Sequence, residues 1–452
     1  MSATLLDSSP NPLSPPPRKP SNEDVLVRLD ELIIGRDLQF PIHDDEGRLL
    51  LNAGVQITPE FKSLLRRRDL RNVRINSSDV ARVTLRGVSL AESKEPSASL
   101  MAAVSGQLDQ LINSSGALFV SNAGPAVKKS VVSHGCRGYQ STKIDEMQQK
   151  RGAAVAQVGQ MMQEALVGAI NATSVVAVAG QFLADLSEDA DGVMAVALDA
   201  SREADLSEHC LQMALLGMAL GVEMDLDASN CQRIALAGLV HDWGQVRLPE
   251  PLRNSSHELT PAELFEYRKH PIYTAELLSR MPGMPSMVQV ISYQVHERPS
   301  GTGYPRGRLE HRIHTFARIL RVADVYVRLC RPTAWRDALA PYASMEAILR
   351  FAAHRELDPE AARALLHLLS LFPIGSWVTL SDGRVGQVIR RNHNHYAQPI
   401  VQVFSDGSET FEEPLIVDLV AENLKVQQAL PTPGRIETLL SEDLFQRIRR
   451  QD

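Results

Sequence analysis

From about residue 141 to 372 the sequence keeps a helical beat, and that constrains the fold more than any other feature. "IDEMQQKRGAAVAQVGQMMQEALVGAI" and "DLSEHCLQMALLGMALG" place apolar residues at three- and four-residue spacing. Strand signals are scarce across the block, so helix faces must bury one another, which predicts an all-helical bundle. "LTPAELFEYRKH" carries a capping box, with Thr260 as N-cap, Pro261 at N1 and Glu263 at N3. One stretch breaks the apolar pattern. In "GLVHDWGQVRLPEP", residues 238–251, a buried-looking run ending in Leu239-Val240 meets His241-Asp242, two metal-competent side chains where another leucine is expected.

The flanks read differently. Residues 1–24 are rich in Pro and Ser with no apolar h-region, which predicts a disordered lead rather than a signal peptide. Residues 25–80 alternate short apolar runs with turn signals and place Thr58-Pro59 at the head of "ITPEFKSLLRRRDL". This predicts a small α+β module. Residues 81–140 mix Ser, Gly, Ala and Lys and read as a partly mobile linker. Over 373–420 the period changes to two, with the hairpin signal Asp382-Gly383, which predicts a small β module. Residues 421–452 read as a short helical tail. The fold class is therefore mainly α: a helical domain over 141–372 with an α+β module before it and a β module after it.

Net charge is −7, with no domain-wide basic patch, which speaks against duplex nucleic acid as a partner. No apolar run approaches the ~20 residues of a membrane span. The four cysteines show no CxxC spacing and fit a reducing cytoplasm.

Within the helical block, potential ligands recur: Asp205 and His209, His241 and Asp242, His270, His296 and Glu297, and Asp324. Asp205 and His209 stand at i and i+4, on one helix face. Adjacent His241 and Asp242 diverge and can serve two metals sharing one carboxylate. His270 precedes Pro271 and reads as the cap of a new helix. Asp324 sits in the apolar "ILRVADVYVRL", where a carboxylate needs a compensating partner to be buried. Mixed His/Asp ligation suits iron, manganese or zinc and speaks against a purely structural zinc site. His311, His314, His393 and His395 lie in loop-like sequence without carboxylate partners, and Cys210 reads as ordinary packing. "HERPSGTGYPRG", 296–307, surrounds Tyr304-Pro305 with glycines that permit close backbone approach to a ligand, and Arg298 and Arg306 offer phosphate contacts.

Together, His241-Asp242 and Gly303-Tyr304-Pro305 resemble the HD-GYP group of bacterial metal-dependent phosphodiesterases, a branch of the HD superfamily. The resemblance covers about residues 185–340 through His209, "HDWGQ", "KHP", "HERPSGTGYPRG" and "VAD". It implies hydrolysis of cyclic di-GMP to pGpG or GMP by a hydroxide bridging two divalent ions, with iron or manganese as candidates. Asp205, His209, His241, Asp242, His270, His296 and Asp324 would then be metal ligands. Gly303, Tyr304 and Pro305, with Arg298 and Arg306, would bind substrate. His241, Asp242 and Gln245 would carry catalysis.

Two departures stand out. The family's HD motif usually continues to a lysine where this chain has Gln245, and its His-His-Glu reads Val295-His296-Glu297 here. The alternative reading is thus a weakly catalytic module that binds cyclic di-GMP or metal and signals through protein partners, with a homodimer as an open option.

Overall fold

In a computed structural model of the chain, residues 24–32, 34, 36–84, 96–114, 120–199, 205–253, 255 and 257–451 are described. The expected disordered lead falls outside them except for its last residue. The chain divides into two compact units, Met1–Ser89 and Leu90–Asp452.

The first unit contains strands β1 (Asp24–Arg28), β2 (Ile42–His43) and β3 (Leu49–Leu51), helix α1 (Pro59–Arg67), β4 (Asn72–Asn76) and α2 (Ser77–Val83). Its antiparallel sheet runs β1-β4-β2-β3. Alternation in β4 buries Val73 and Ile75 against Val27, Ile42 and Leu65. Thr58 caps α1 by accepting the Phe61 amide at 3.1 Å, with Pro59 at N1.

The second unit is mostly helical. Its first half holds α3 (Pro96–Ser114), α4 (Ser141–Leu166), α5 (Ala172–Gly180), α6 (Leu183–Ala197), α7 (Leu206–Glu223) and α8 (Ala228–Val240). Then come the short α9 (Glu250–Arg253), α10 (Pro261–Tyr267), α11 (His270–Ser279), α12 (Ser286–Gln294) and α13 (Thr315–Leu329). Strand β5 (Ala338–Leu339), α14 (Pro341–Ala353) and α15 (Pro359–Leu369) complete the bundle. Almost every residue of α7 and the last seven residues of α8 are buried, so these helices form its centre. Gly238 permits their close approach: a Cβ there would stand 2.9 Å from the Met213 carbonyl oxygen. The capping box at Thr260 and Glu263 forms as its spacing predicts.

Strands β6 (Trp377–Leu380), β7 (Val385–Arg390), β8 (Ile400–Ser405), β9 (Thr410–Asp418) and β10 (Val426–Leu430) make an antiparallel sheet of order β10-β6-β7-β8-β9. Gly383 takes φ +90° in the β6–β7 turn, where an L residue is strained.

The structure departs from the sequence reading in two segments. Residues 96–114, inside the expected linker, form α3, and Val104, Leu108 and Ile112 pack on Ala275, Val290 and Tyr293. Its stripe is narrow and set among Ser and Ala, so docking rather than local periodicity supports the helix. The expected helical tail supplies β10 to the sheet and β11 (Glu437–Thr438) parallel to β5 before it ends in α16 (Glu442–Gln451).

His314, read as a loop residue, is the buried N-cap of α13, its Nδ1 accepting the Phe316 amide at 3.0 Å. Burial, with Arg318 nearby, lowers its pKa from 6.5 to about 4. The neutral ring makes the cap, so its stability contribution is complete above the unfolded value and is lost as pH falls toward 4. The shift corresponds to on the order of 3 kcal/mol. Urea unfolding between pH 7 and 4.5 should show a flatter pH dependence in His314→Asn than in wild type; identical slopes would exclude this cap as a source of acid lability.

Candidate metal centre

Asp242 is the hub. It follows the end of α8, where a 3-10 turn over Trp243–Arg247 replaces the α-helix. Its Oδ1 stands 3.0 Å from His270 Nε2 and 3.1 Å from His296 Nε2, and those two nitrogens are 3.0 Å apart. Three donors at such edges have the spacing of one octahedral face about 2.1 Å from a common centre, the pattern of a two-histidine, one-carboxylate triad. Each donor comes from a different segment: the end of α8, the first turn of α11 and the turn after α12. His270 is the first residue of α11 rather than its cap, which is Lys269.

A second group shares Asp242. His209 on α7 places Nε2 3.5 Å from Asp242 Oδ2 and 3.4 Å from Asp324 Oδ1. His241 Nε2 lies 3.4 Å from Asp242 Oδ1. His209, His241 and Asp242 fall within the mutual reach of one ion, as do Asp242, His270 and His296. The tautomers fit. His241 Nδ1 meets the Gly238 carbonyl and His270 Nδ1 the Tyr267 carbonyl, each at 2.8 Å. A carbonyl only accepts, so both Nδ1 atoms donate and both Nε2 lone pairs face the cluster. The buried Nε2 atoms of His209 and His241 have no hydrogen-bond partner among the described residues. Such orphaned acceptors around a carboxylate are what a divalent cation needs.

Electrostatics points the same way. Burial lowers the His241 pKa to about 4 and also lowers that of His270, so both rings are neutral near pH 7. Burial would raise Asp242, but His241 and His270 outweigh it and hold its carboxyl well below the usual range. Asp324 behaves likewise, with Arg328 and the His209 and His296 rings outweighing burial. His296 moves upward, because Asp242 and Asp324 overcome the effect of burial.

A cavity of about 800 Å³ opens over Asp242, His209 and Gln245, within the ~300–1,000 Å³ of small-molecule sites. Arg253, Arg328 and Arg331 line it as well. Asp205 also reaches the cavity, but as the N-cap of α7, its Oδ1 accepting the Glu208 amide at 2.8 Å. Gln245 donates from Nε2 to Asp242 Oδ2 at 2.5 Å.

The five residues expected to touch substrate are absent from the cavity lining. Tyr304 is buried and stacks on His296 at 4.9 Å with the rings 8° from parallel. Gly303 lies against the backbone of 297–298, where a Cβ would stand 2.3 Å from the Arg298 nitrogen. Pro305 follows in the same loop, whose ends Glu297 holds by accepting the Arg306 and Arg308 amides at 2.7 Å. Arg306 is buried on Asp109 of α3, and Arg298 faces Glu356 at 3.3 Å. The loop packs against the triad through Tyr304.

The sequence reading missed Arg328. Its Nε donates to Asp324 Oδ1 at 2.8 Å, while Arg321 Nη1 donates to Oδ2 at 3.0 Å. The signal was present, since arginines three residues before and four residues after a buried helical aspartate share its face. Val295, at the position of the absent histidine, is wholly buried in the apolar core.

Comparison with known proteins gives the same picture. Residues 195–361 match the HD domain family. The chain is 32% identical over 213 residues to the cyclic di-GMP phosphodiesterase PA4108 of Pseudomonas aeruginosa, covering 47% of this chain and 51% of that protein. It is 29% identical over 168 residues to the cyclic di-GMP phosphodiesterase response regulator RpfG of Xanthomonas campestris pv. campestris, 36% of this chain and 44% of that one. It is 30% identical over 154 residues to the 3'3'-cGAMP-specific phosphodiesterase 3 of Vibrio cholerae, 34% of this chain and 33% of that one. The chain thus spans between a third and about half of the length of these relatives. Bd1817, a HDG"Y"P protein from Bdellovibrio bacteriovorus, aligns at a TM-score of 0.41 and 17% identity over 76% of this chain and 98% of its own, a likeness too low to argue from. Residues 195–361 are thus similar to the HD domain family, and part of the chain is similar to cyclic di-GMP phosphodiesterases.

Proposed function

We propose that this chain is a metal-dependent phosphodiesterase that opens cyclic di-GMP to pGpG, with further cleavage to GMP. The observation that carries the reading is the Asp242–His270–His296 triangle, whose Asp242 also lines an arginine-bearing cavity. A bound divalent ion, iron or manganese by the donor chemistry, supplies Lewis-acid charge stabilisation at the phosphoryl oxygens and acidifies the attacking water. The chain's own residues do the rest. Arg328 and Arg331 present fixed positive charge to a phosphodiester, and Arg253 stands on the same wall. Gln245, hydrogen-bonded to Asp242, fixes the orientation of that carboxylate. Burial of His241, His270 and His296 keeps bulk water from their lone pairs.

The role as metal ligand goes to Asp242, His270 and His296, with His209 and His241 as the second group of donors around Asp242. Asp205 is better read as a helix cap, and the 303–306 loop as a support. Three relatives are named as 3'3'-cGAMP-specific, so the neighbouring cyclic dinucleotide belongs in the same assay. No helix among the described residues is long and apolar enough to cross a membrane, and the setting we propose is the cytoplasm.

The second reading, a module that binds cyclic di-GMP and signals through partners, draws on Gln245 and on the apolar packing of Val295. One experiment separates the two. Purified chain with Mn²⁺, or with Fe²⁺ under anaerobic conditions, should convert cyclic di-GMP to pGpG in a chromatographic assay. Saturable binding in calorimetry with no product would favour the binding module, and neither binding nor turnover would reject both.

A further inference from the structure

The ligand set by residue type could serve two cations, yet a cation is already built into one of the two positions. An ion at His209 would draw on Asp242 Oδ2 and Asp324 Oδ1, the oxygens 3.5 and 3.4 Å from His209 Nε2, while His241 Nε2 faces Asp242 Oδ1 at 3.4 Å. The same two oxygens face the Arg328 guanidinium, Asp324 Oδ1 at 2.8 Å from Nε and Asp242 Oδ2 at 3.5 Å from Nη2. The remaining oxygen of Asp324 takes Arg321, and Asp242 Oδ2 also takes the Gln245 amide. The triad uses the other oxygen of Asp242, which His241 Nε2 also faces at 3.4 Å, and His296 Nδ1 stands 3.4 Å from Asp324 Oδ2.

We propose that Arg328 is a resident cation that stands in for one metal ion, so that this chain holds a single divalent ion on Asp242, His270 and His296. The inference rests on the metal-centre reading above and specifies how that centre is filled. A guanidinium keeps its charge at any working pH and bridges two carboxylates through separate nitrogens, as an ion would. A divalent ion placed beside it would face a fixed like charge at close range, where screening is weak. Arg328 comes from α13, four residues after Asp324, so its place is fixed by helix geometry rather than by a mobile loop. Its side chain is 27% exposed and lines the cavity, leaving part of its charge available to a phosphate.

The test counts ions. Full-length protein is stripped with chelator, reloaded with Mn²⁺, freed of excess and analysed for elemental content and by electron paramagnetic resonance. Wild type should hold about one Mn²⁺ per chain with the spectrum of an isolated ion. Arg328→Gln, which keeps a donor for Asp324 but removes the charge, should hold about two, with the broadened spectrum of a coupled pair. His209→Ala should keep the wild-type count, whereas His270→Ala should lose the ion. Two ions in wild type, or an unchanged count in folded Arg328→Gln, overturns the proposal, and the wild-type count decides alone if that variant fails to fold. Two ions with hydrolysis intact refutes only this inference; no bound ion removes the metal-centre reading with it.

Discussion

Asp242→Ala should abolish both ion binding and cyclic di-GMP hydrolysis, with activity falling by at least about 10³-fold. Loss of a group that merely orients a ligand already costs about 10–100-fold, and Asp242 is itself the shared vertex of both donor groups. Its Oδ1 closes the triangle with His270 and His296, and its Oδ2 faces His209. The fold should survive, because burial keeps His241 and His270 neutral and Arg328 keeps its bond to Asp324. Elemental analysis on the sample used for the assay is the check. Full ion content in a folded, inactive Asp242→Ala would place the ion elsewhere and leave Asp242 with another role.

The largest stability effect is expected far from Asp242 in sequence. Asp109 on α3 takes Arg306 on one carboxylate oxygen, at 2.8 Å from Nε and 2.6 Å from Nη2, and Arg308 on the other. All three side chains are buried. Removing one partner of a buried ion pair typically costs about 3–5 kcal/mol, since the remaining charge stays in low dielectric. Asp109→Ala should therefore lose about that much in urea unfolding. Faster hydrogen exchange over 297–308 should accompany the loss, because the loop that presses Tyr304 on His296 would lose its anchor on α3. A loss under about 1 kcal/mol would mean that α3 docks through Val104, Leu108 and Ile112 and that the charge cluster adds little.

Much of the site was legible because metal donors are chemically conspicuous. His209, His241, Asp242, His270 and His296 stood out as polar interruptions of apolar sequence, and the structure gathers them. The Thr58 and Thr260 caps and the Asp382-Gly383 turn were legible for a related reason: each is decided within a few residues, where spacing is geometry. The 303–306 loop was less legible. Glycines beside an aromatic and two arginines suit a phosphate lip and an internal prop equally well, and only the positions of Asp109, Glu297 and Glu356 distinguish them. Helix α3 was missed because its apolar stripe is narrow without the surface it docks on.

By itself, the sequence determined which side chains can bind a cation and that residues 141–372 are mainly helical, because both follow from side-chain type and from period within a turn or two. The tertiary structure alone decided which lone pairs converge on Asp242, which carboxylate holds a guanidinium and which arginines line the cavity. Those outcomes turn on ångström separations between helices distant in the chain, and close packing of α7, α8, α11 and α13 is what sets them.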